Sequence, residues 1–237
     1  KKFLDENGLY VFTLNGFPYG KFHKSIVKEE VYAPDWQDKK RVLYTLRLID
    51  ILSFLLPKNL DGSISTVPLS YKSWLKKNDR KAYELMVQNV IKVVEKLNQV
   101  RQEGGKLIHL NFEPEPDCLL ENSDDVIDFY ENWLLKLGPK LLVSSDNAKD
   151  IILEHIRVCY DTCHMAVVFE NPSNVFAKLK KLGIKVGKVQ ISSALRIVFP
   201  KSISQRELIK QNLKPFAESV YLHQVTQKNQ DGKFVKY

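Results

Sequence analysis

The run Val158, Cys159, Tyr160, Asp161, Thr162, Cys163, His164 is an apolar stretch that ends in an acid, with an imidazole three residues beyond it. The segment 156–160 has the length and continuous apolarity of a buried strand. If the chain turns helical after Asp161, that carboxylate and His164 share a face. A strand end carrying an acid and a histidine is half of a metal or sugar site, and the other half must come from another strand end. A capping aspartate beside a buried histidine is the bland alternative, and the spacing leaves both open.

Working outward, strand and helix patterns alternate. Upstream, 9–14 reads as a short strand, and 41–56 as an amphipathic helix stopped by Pro57. A strand at 61–67 and a long helix at 77–102, ended by Gly104 and Gly105, come next. Segment 106–112 returns to strand patterning, and 124–137, with Ser123 as its cap, and 148–154 read as helices. Downstream, a helix at 174–182 is broken by Gly183 before a strand at 184–191. A helix at 204–212 and a last strand at 219–225 close the series. Strands separated by helices are parallel βα units, because neighbours running the same way need crossover connections. Six such strands fit either an open sheet or an incomplete eight-strand barrel. Polar residues recurring at strand ends favour the α/β architecture of a (β/α)8 TIM barrel, whose catalytic face gathers groups there. No second domain boundary interrupts residues 1–237.

The chain has 237 residues, 44% of them hydrophobic, enough for a sizeable core. No apolar run approaches the roughly 18 residues that span a bilayer, so the expectation is a cytoplasmic chain without membrane insertion. The three cysteines, Cys118, Cys159 and Cys163, form no paired metal-knot spacing and read as core or pocket-lining residues. A net charge of +8 invites an anionic partner. The lysines punctuate helix faces, however, and no basic tract interleaved with aromatics marks a nucleic-acid groove, which argues against nucleic acid.

The other half of the site is sought at the remaining strand ends. Glu113 follows an apolar strand and is fixed in a turn by Pro114, with Glu115 and Pro116 repeating the pair. Glu113, Asp161 and His164 are candidate ligands of one divalent ion, zinc, manganese or iron, and Glu113 and His164 are the candidate catalytic groups. His223, in an apolar context, is the candidate fourth ligand. Gln190 ends another strand; its amide is a poor ligand but donates and accepts hydrogen bonds. Arg196 is suited to an anionic or polyhydroxylated ligand. Asn15, His23 and Ser65 complete the candidate substrate-binding set at earlier strand ends.

The strings Asn15-Gly16-Phe17-Pro18-Tyr19-Gly20, Tyr32-Ala33-Pro34-Asp35-Trp36, Asp61-Gly62-Ser63-Ile64-Ser65-Thr66, Glu113-Pro114-Glu115-Pro116, Cys159-Tyr160-Asp161-Thr162-Cys163-His164 and Gln190-Ile191-Ser192-Ser193-Ala194-Leu195 extend over most of the chain. Together they resemble the xylose-isomerase-like barrel superfamily, and within it the EboE metabolite-traffic family. The resemblance implies a TIM barrel that is incomplete in this chain, its first strand preceding Lys1 and its last following Tyr237. It implies a divalent-metal site at Glu113, Asp161 and His164, with Gln190 standing where the superfamily offers a histidine. It also implies secondary metabolism: a small polar metabolite and partner proteins of a biosynthetic or export cluster. Three functions follow as expectations: metal-dependent processing of a small polar metabolite by isomerisation or epimerisation, noncatalytic metabolite binding or escort, and endonuclease-like phosphodiester hydrolysis.

Overall fold

Five short strands pair in chain order into one parallel sheet: β1 (Thr13–Asn15), β2 (Gly62–Thr66), β3 (Ile108–Phe112), β4 (Ile156–Asp161) and β5 (Val186–Gln190). The computed structural model describes residues 1–20, 28–76, 79–142, 146–216, 224–229, 231 and 234–236. A short α1 (Lys2–Glu6) precedes the sheet, and helices fill the crossovers. These are α2 (Lys39–Leu55), α3 (Arg80–Gly104), α4 (Ser123–Asp128), α5 (Leu135–Leu141), α6 (Ala148–His155), α7 (Thr162–Val167) and α8 (Pro172–Lys181). The result is an open, uncompleted half-barrel flanked by helices, as an incomplete (β/α)8 barrel requires.

Alternation along the strands separates two environments. Ile64, Ile108, Leu110, Phe112, Ile156 and Val158 belong to the apolar core, together with Met86, Val90, Val94 and Leu97 of α3. Each such side chain, fully buried, contributes on the order of 1.5–3 kcal/mol. The intervening residues make a polar concave face. Thr13 and Ser63 share a 2.7 Å hydroxyl contact, and the Ser65 hydroxyl donates to Asn15 Oδ1 at 3.2 Å. His109 Nδ1 lies 2.8 Å from Asn111 Oδ1.

Helix ends follow their local chemistry. Asp38 accepts from the backbone of Lys40 at the start of α2, and Asp79 from Ala82 at the start of α3. Gly105, at φ +67°, ends α3 in the left-handed conformation that glycine adopts without penalty. The helix expected at 124–137 differs in two respects. Its cap is Asn122, whose Oδ1 accepts from Asp124 and Asp125 at 2.9 and 3.0 Å, while Ser123 donates instead to Glu170 at 3.0 Å. It also continues to Leu141 through a π-helical turn at Phe129–Leu134.

The C-terminal end departs from the expected rhythm. After β5 the chain runs irregularly to α9 (Ile203–Leu213), which buries none of its residues. Of the strand expected at 219–225, residues 219–223 lie outside the described residues, and 224 and 225 are not in a strand. Instead β6 (Thr226–Lys228) and β7 (Phe234–Lys236) form a separate antiparallel ribbon, the pairing that a short connection permits. Lys236 ties it to Asp117 and Glu121 beyond β3. Among the described residues the parallel sheet therefore has five strands, where six were expected.

Candidate metal centre

The geometry of the sheet mouth depends on a bulge. Val158 pairs with Val186, but the next residue, Cys159, pairs with Lys188, so Gly187 is the extra residue of β5. Val186 packs against the apolar core. Simple alternation from it would carry Lys188 and Gln190 to the helix side, whereas one inserted residue turns both to the concave face. Only glycine fits: a Cβ at Gly187 would stand 2.2 Å from Asn111 Oδ1 and 2.7 Å from His109 Nδ1.

Three strand ends then converge. Gln190 Nε2 donates to Glu113 Oε1 at 2.8 Å and to Asp161 Oδ2 at 3.0 Å. Asp161 also caps α7, its Oδ1 accepting from the Cys163 backbone at 2.9 Å, and takes a 2.5 Å hydrogen bond from the Ser192 hydroxyl. Thr162 holds the Ser192 segment, its Oγ1 donating to the Ser192 carbonyl at 2.6 Å and accepting from the Ser192 amide at 2.8 Å. The turn into α7 carries His164 over the Glu-Pro-Glu-Pro turn. Its Nδ1 is 3.2 Å from the Pro114 carbonyl and 3.8 Å from Glu113 Oε1, and its Nε2 is 3.9 Å from Glu115 Oε1.

Burial and neighbouring charge give these groups different protonation. Burial, then the charge of Asp161, pushes Glu113 up to about 7. Glu115 rises to about 8, through burial first and the charge of Glu113 second, despite a hydrogen bond with the Tyr32 hydroxyl. Burial also pushes Asp161 up, but the Ser192 hydrogen bond, the His164 charge and the donors of Cys163 and Gln190 outweigh it and hold Asp161 at about 2. Burial holds His164 below the usual histidine range against the pull of Asp161. An ionised carboxylate thus stands beside a neutral imidazole.

Asp161, Cys163 and His164 each offer a ligand atom, and these atoms all lie within 4.8 Å of one another. The donor set fits a divalent ion. Oxygen, sulfur and nitrogen ligands suit zinc or ferrous iron better than magnesium. Asp161 and His164 already hold the protonation states that ligation needs, and the Cys163 thiol, pushed up to about 11 by burial, is the donor that must lose a proton. Beside them, Glu113 Oε2 is buried with no hydrogen-bond partner among the described residues, a costly state for a carboxylate oxygen.

Of the residues singled out from sequence, the fold brings Glu113, Asp161, His164 and Gln190 together. Asn15 lies exposed at the end of β1, linked to Ser65 on the concave face. Arg196 is exposed in the irregular segment after β5, apart from the hydrogen bonds that build the mouth. His23 and His223 lie outside the described residues. Three contributors were not foreseen: Cys163 as a candidate ligand, Ser192 as the group that holds Asp161, and Lys188 on the concave face. The Ser192-Ser193 pair, beginning two residues beyond Gln190, was the available signal for the second.

No protein-family model matches the chain, and no curated protein matches it. Solved structures similar to it include an L-ribulose 3-epimerase, at 16% identity over 93% of this chain and 63% of that one, with a TM-score of 0.48. A D-allulose 3-epimerase from Methylomonas sp. is similar at 13% identity over 93% and 65%, TM-score 0.49. A 3-keto-D-glucoside 4-epimerase, YcjR, from E. coli is similar at 14% over 97% and 76%, TM-score 0.45. The chain spans less than two thirds of the length of the first of these. By its own sheet and mouth, this chain is an open parallel half-barrel with a candidate tridentate metal site.

Proposed function

We propose that the mouth is a divalent-metal site that processes a small polar metabolite, with hydroxy-carbonyl compounds as substrates and isomerisation or epimerisation as the reaction class. One observation carries this reading. Two carboxylates from different strands, Glu113 and Asp161, converge on a single nitrogen of Gln190, with an imidazole and a thiol beside them. Asp161, Cys163 and His164 hold the ion, and Glu113 stands beside them. Once bound, such an ion polarises adjacent substrate oxygens and lowers the cost of an enediolate-like state. Glu113 is the proton-handling group and takes a proton at its unpartnered Oε2, while His164, its Nδ1 donating to the Pro114 carbonyl, keeps the lone pair of Nε2 for the ion. The full-length protein should purify with bound metal and turn over a hydroxy-carbonyl compound. Replacing Glu113 by Gln and Asp161 by Asn together should abolish both, and retention of both would contradict the proposal.

A second reading, noncatalytic binding or escort, draws on the Gln190 amide itself. A neutral donor that bonds one oxygen of each carboxylate lets the mouth persist without an ion. Saturable metabolite binding without turnover would favour it, and product formation would dismiss it. The sequence strings alone support the narrower proposal of an EboE-like role in the cytoplasm, in which the protein moves secondary-metabolite precursors with partner proteins of an export cluster. No described helix is long and apolar enough to cross a membrane.

A further inference from the structure

Lys188 is the feature that the metal reading does not use. The Gly187 bulge turns its side chain onto the concave face, two residues before Gln190 on the same strand. There its ammonium crosses to the opposite side of the sheet and donates to Ser65 Oγ at 3.2 Å. Ser65 in turn donates to Asn15 Oδ1, so an ammonium, a hydroxyl and a primary amide form one chain from β5 to β1. Below this chain β5 presses on β3, Gly187 against Asn111 and His109, which closes the face beneath Lys188.

The pairing is chemically uneven. Glu113 is near enough for the Lys188 charge to act on it, yet the carboxylate takes its hydrogen bond from neutral Gln190, and Lys188 gives its own to neutral Ser65. Charges taken out of water are ordinarily paired with an opposite charge. Held by a hydroxyl, the Lys188 ammonium keeps both its charge and donor capacity for something else. That group faces the same mouth as the metal donors, close enough for its charge to act on Glu113.

We propose that Lys188, with Ser65 and Asn15, is an oxyanion-binding subsite, so that the metabolite handled here carries a carboxylate or phosphate in addition to the hydroxyl or carbonyl oxygens presented to Glu113, Asp161 and His164. This deepens the metabolite-site reading above and rests on it. The anion lies against the Lys188 ammonium, and the Ser65 hydroxyl turns from Asn15 Oδ1 to donate to it, fixing which end of the metabolite reaches the metal donors. Neutral polyols bind without this contact.

The test is calorimetric titration of the full-length protein with gluconate, glycerol 3-phosphate and uncharged sorbitol, alongside a separate zinc titration. Wild type should bind one or both anions, and the stronger one identifies the anionic group. Lys188→Met should weaken that binding about tenfold or more and leave sorbitol and zinc binding unchanged, while Lys188→Arg should retain most of it. Ser65→Ala should weaken it to a smaller degree, and circular dichroism confirms that each variant is folded. Anion binding by folded Lys188→Met equal to wild type would overturn the proposal, as would failure of wild type to bind either anion. Zinc binding distinguishes the two readings. If zinc binds normally and the lysine has no effect, the subsite alone fails. If zinc does not bind but the lysine effect is present, the metal reading alone fails.

Discussion

Gln190 at the end of β5 donates a 2.8 Å hydrogen bond to Glu113 beyond the end of β3, reaching past β4, which lies between those strands. The same nitrogen serves Asp161 at 3.0 Å. One neutral amide therefore holds apart two carboxylates that would otherwise face each other directly.

Removing that amide should expose the repulsion. Gln190→Leu leaves Glu113 and Asp161 without their shared donor, and the metal-free protein should lose about 1–3 kcal/mol in urea unfolding. Added zinc should restore much of the loss, because an ion that binds only the folded chain stabilises it by mass action. A variant as stable as wild type without metal would mean that the amide bridge does little.

Gly187→Ala tests the bulge. Its Cβ would stand 2.2 Å from Asn111 Oδ1, so either the strand or the Asn111 and His109 side chains must move. Overpacking of this kind costs about 1–3 kcal/mol. The movement should also shift Ser192, which lies just after β5 and orients Asp161, so zinc affinity should fall along with the melting temperature. A stability loss with zinc binding intact would separate the bulge from the site.

His109 predicts a pH dependence away from the metal donors. Burial, then the charge of Arg157, lowers it to about 4, against an ordinary value of 6.5. Below about pH 6.5 the unfolded chain takes up a proton that the folded chain refuses, so stability should fall as pH drops toward 4 and the effect should level off below that. The slope contributed by this group is at most about 1.4 kcal/mol per pH unit. His155, also lowered chiefly by burial, adds in the same direction. Urea titrations at several pH values should show His109→Asn with a shallower fall than wild type.

Asn122→Ala removes the cap of α4, two hydrogen bonds at 2.9 and 3.0 Å. The expected loss is about 1 kcal/mol, read by chemical denaturation, with zinc affinity unchanged.

The sequence carried the strand ends well, because an apolar run stopped by Asp161 or by Glu113-Pro114 is visible in one dimension. Alternation along β2 and β3 likewise marks which side chains face the helices. The bulge at Gly187 was not legible, since a one-residue slip changes facing without changing composition, and nothing in the sequence singled out Lys188. Cys163 was passed over because the three cysteines show no metal-knot spacing and so read as core or pocket-lining residues, whereas the α7 turn places it beside Asp161 and His164. The ribbon of β6 and β7 is tied by Lys236 to Asp117 and Glu121, far earlier in the chain, a contact that no local pattern announces.

The central claim concerns the metal, and anomalous scattering at the zinc edge from a zinc-soaked crystal of the full-length protein tests it most directly. The account predicts one strong peak bonded by Asp161, Cys163 and His164, with Gln190 displaced from at least one carboxylate and the peak lost in Asp161→Asn. A mouth without a peak, with Gln190 still bridging Glu113 and Asp161, would contradict it.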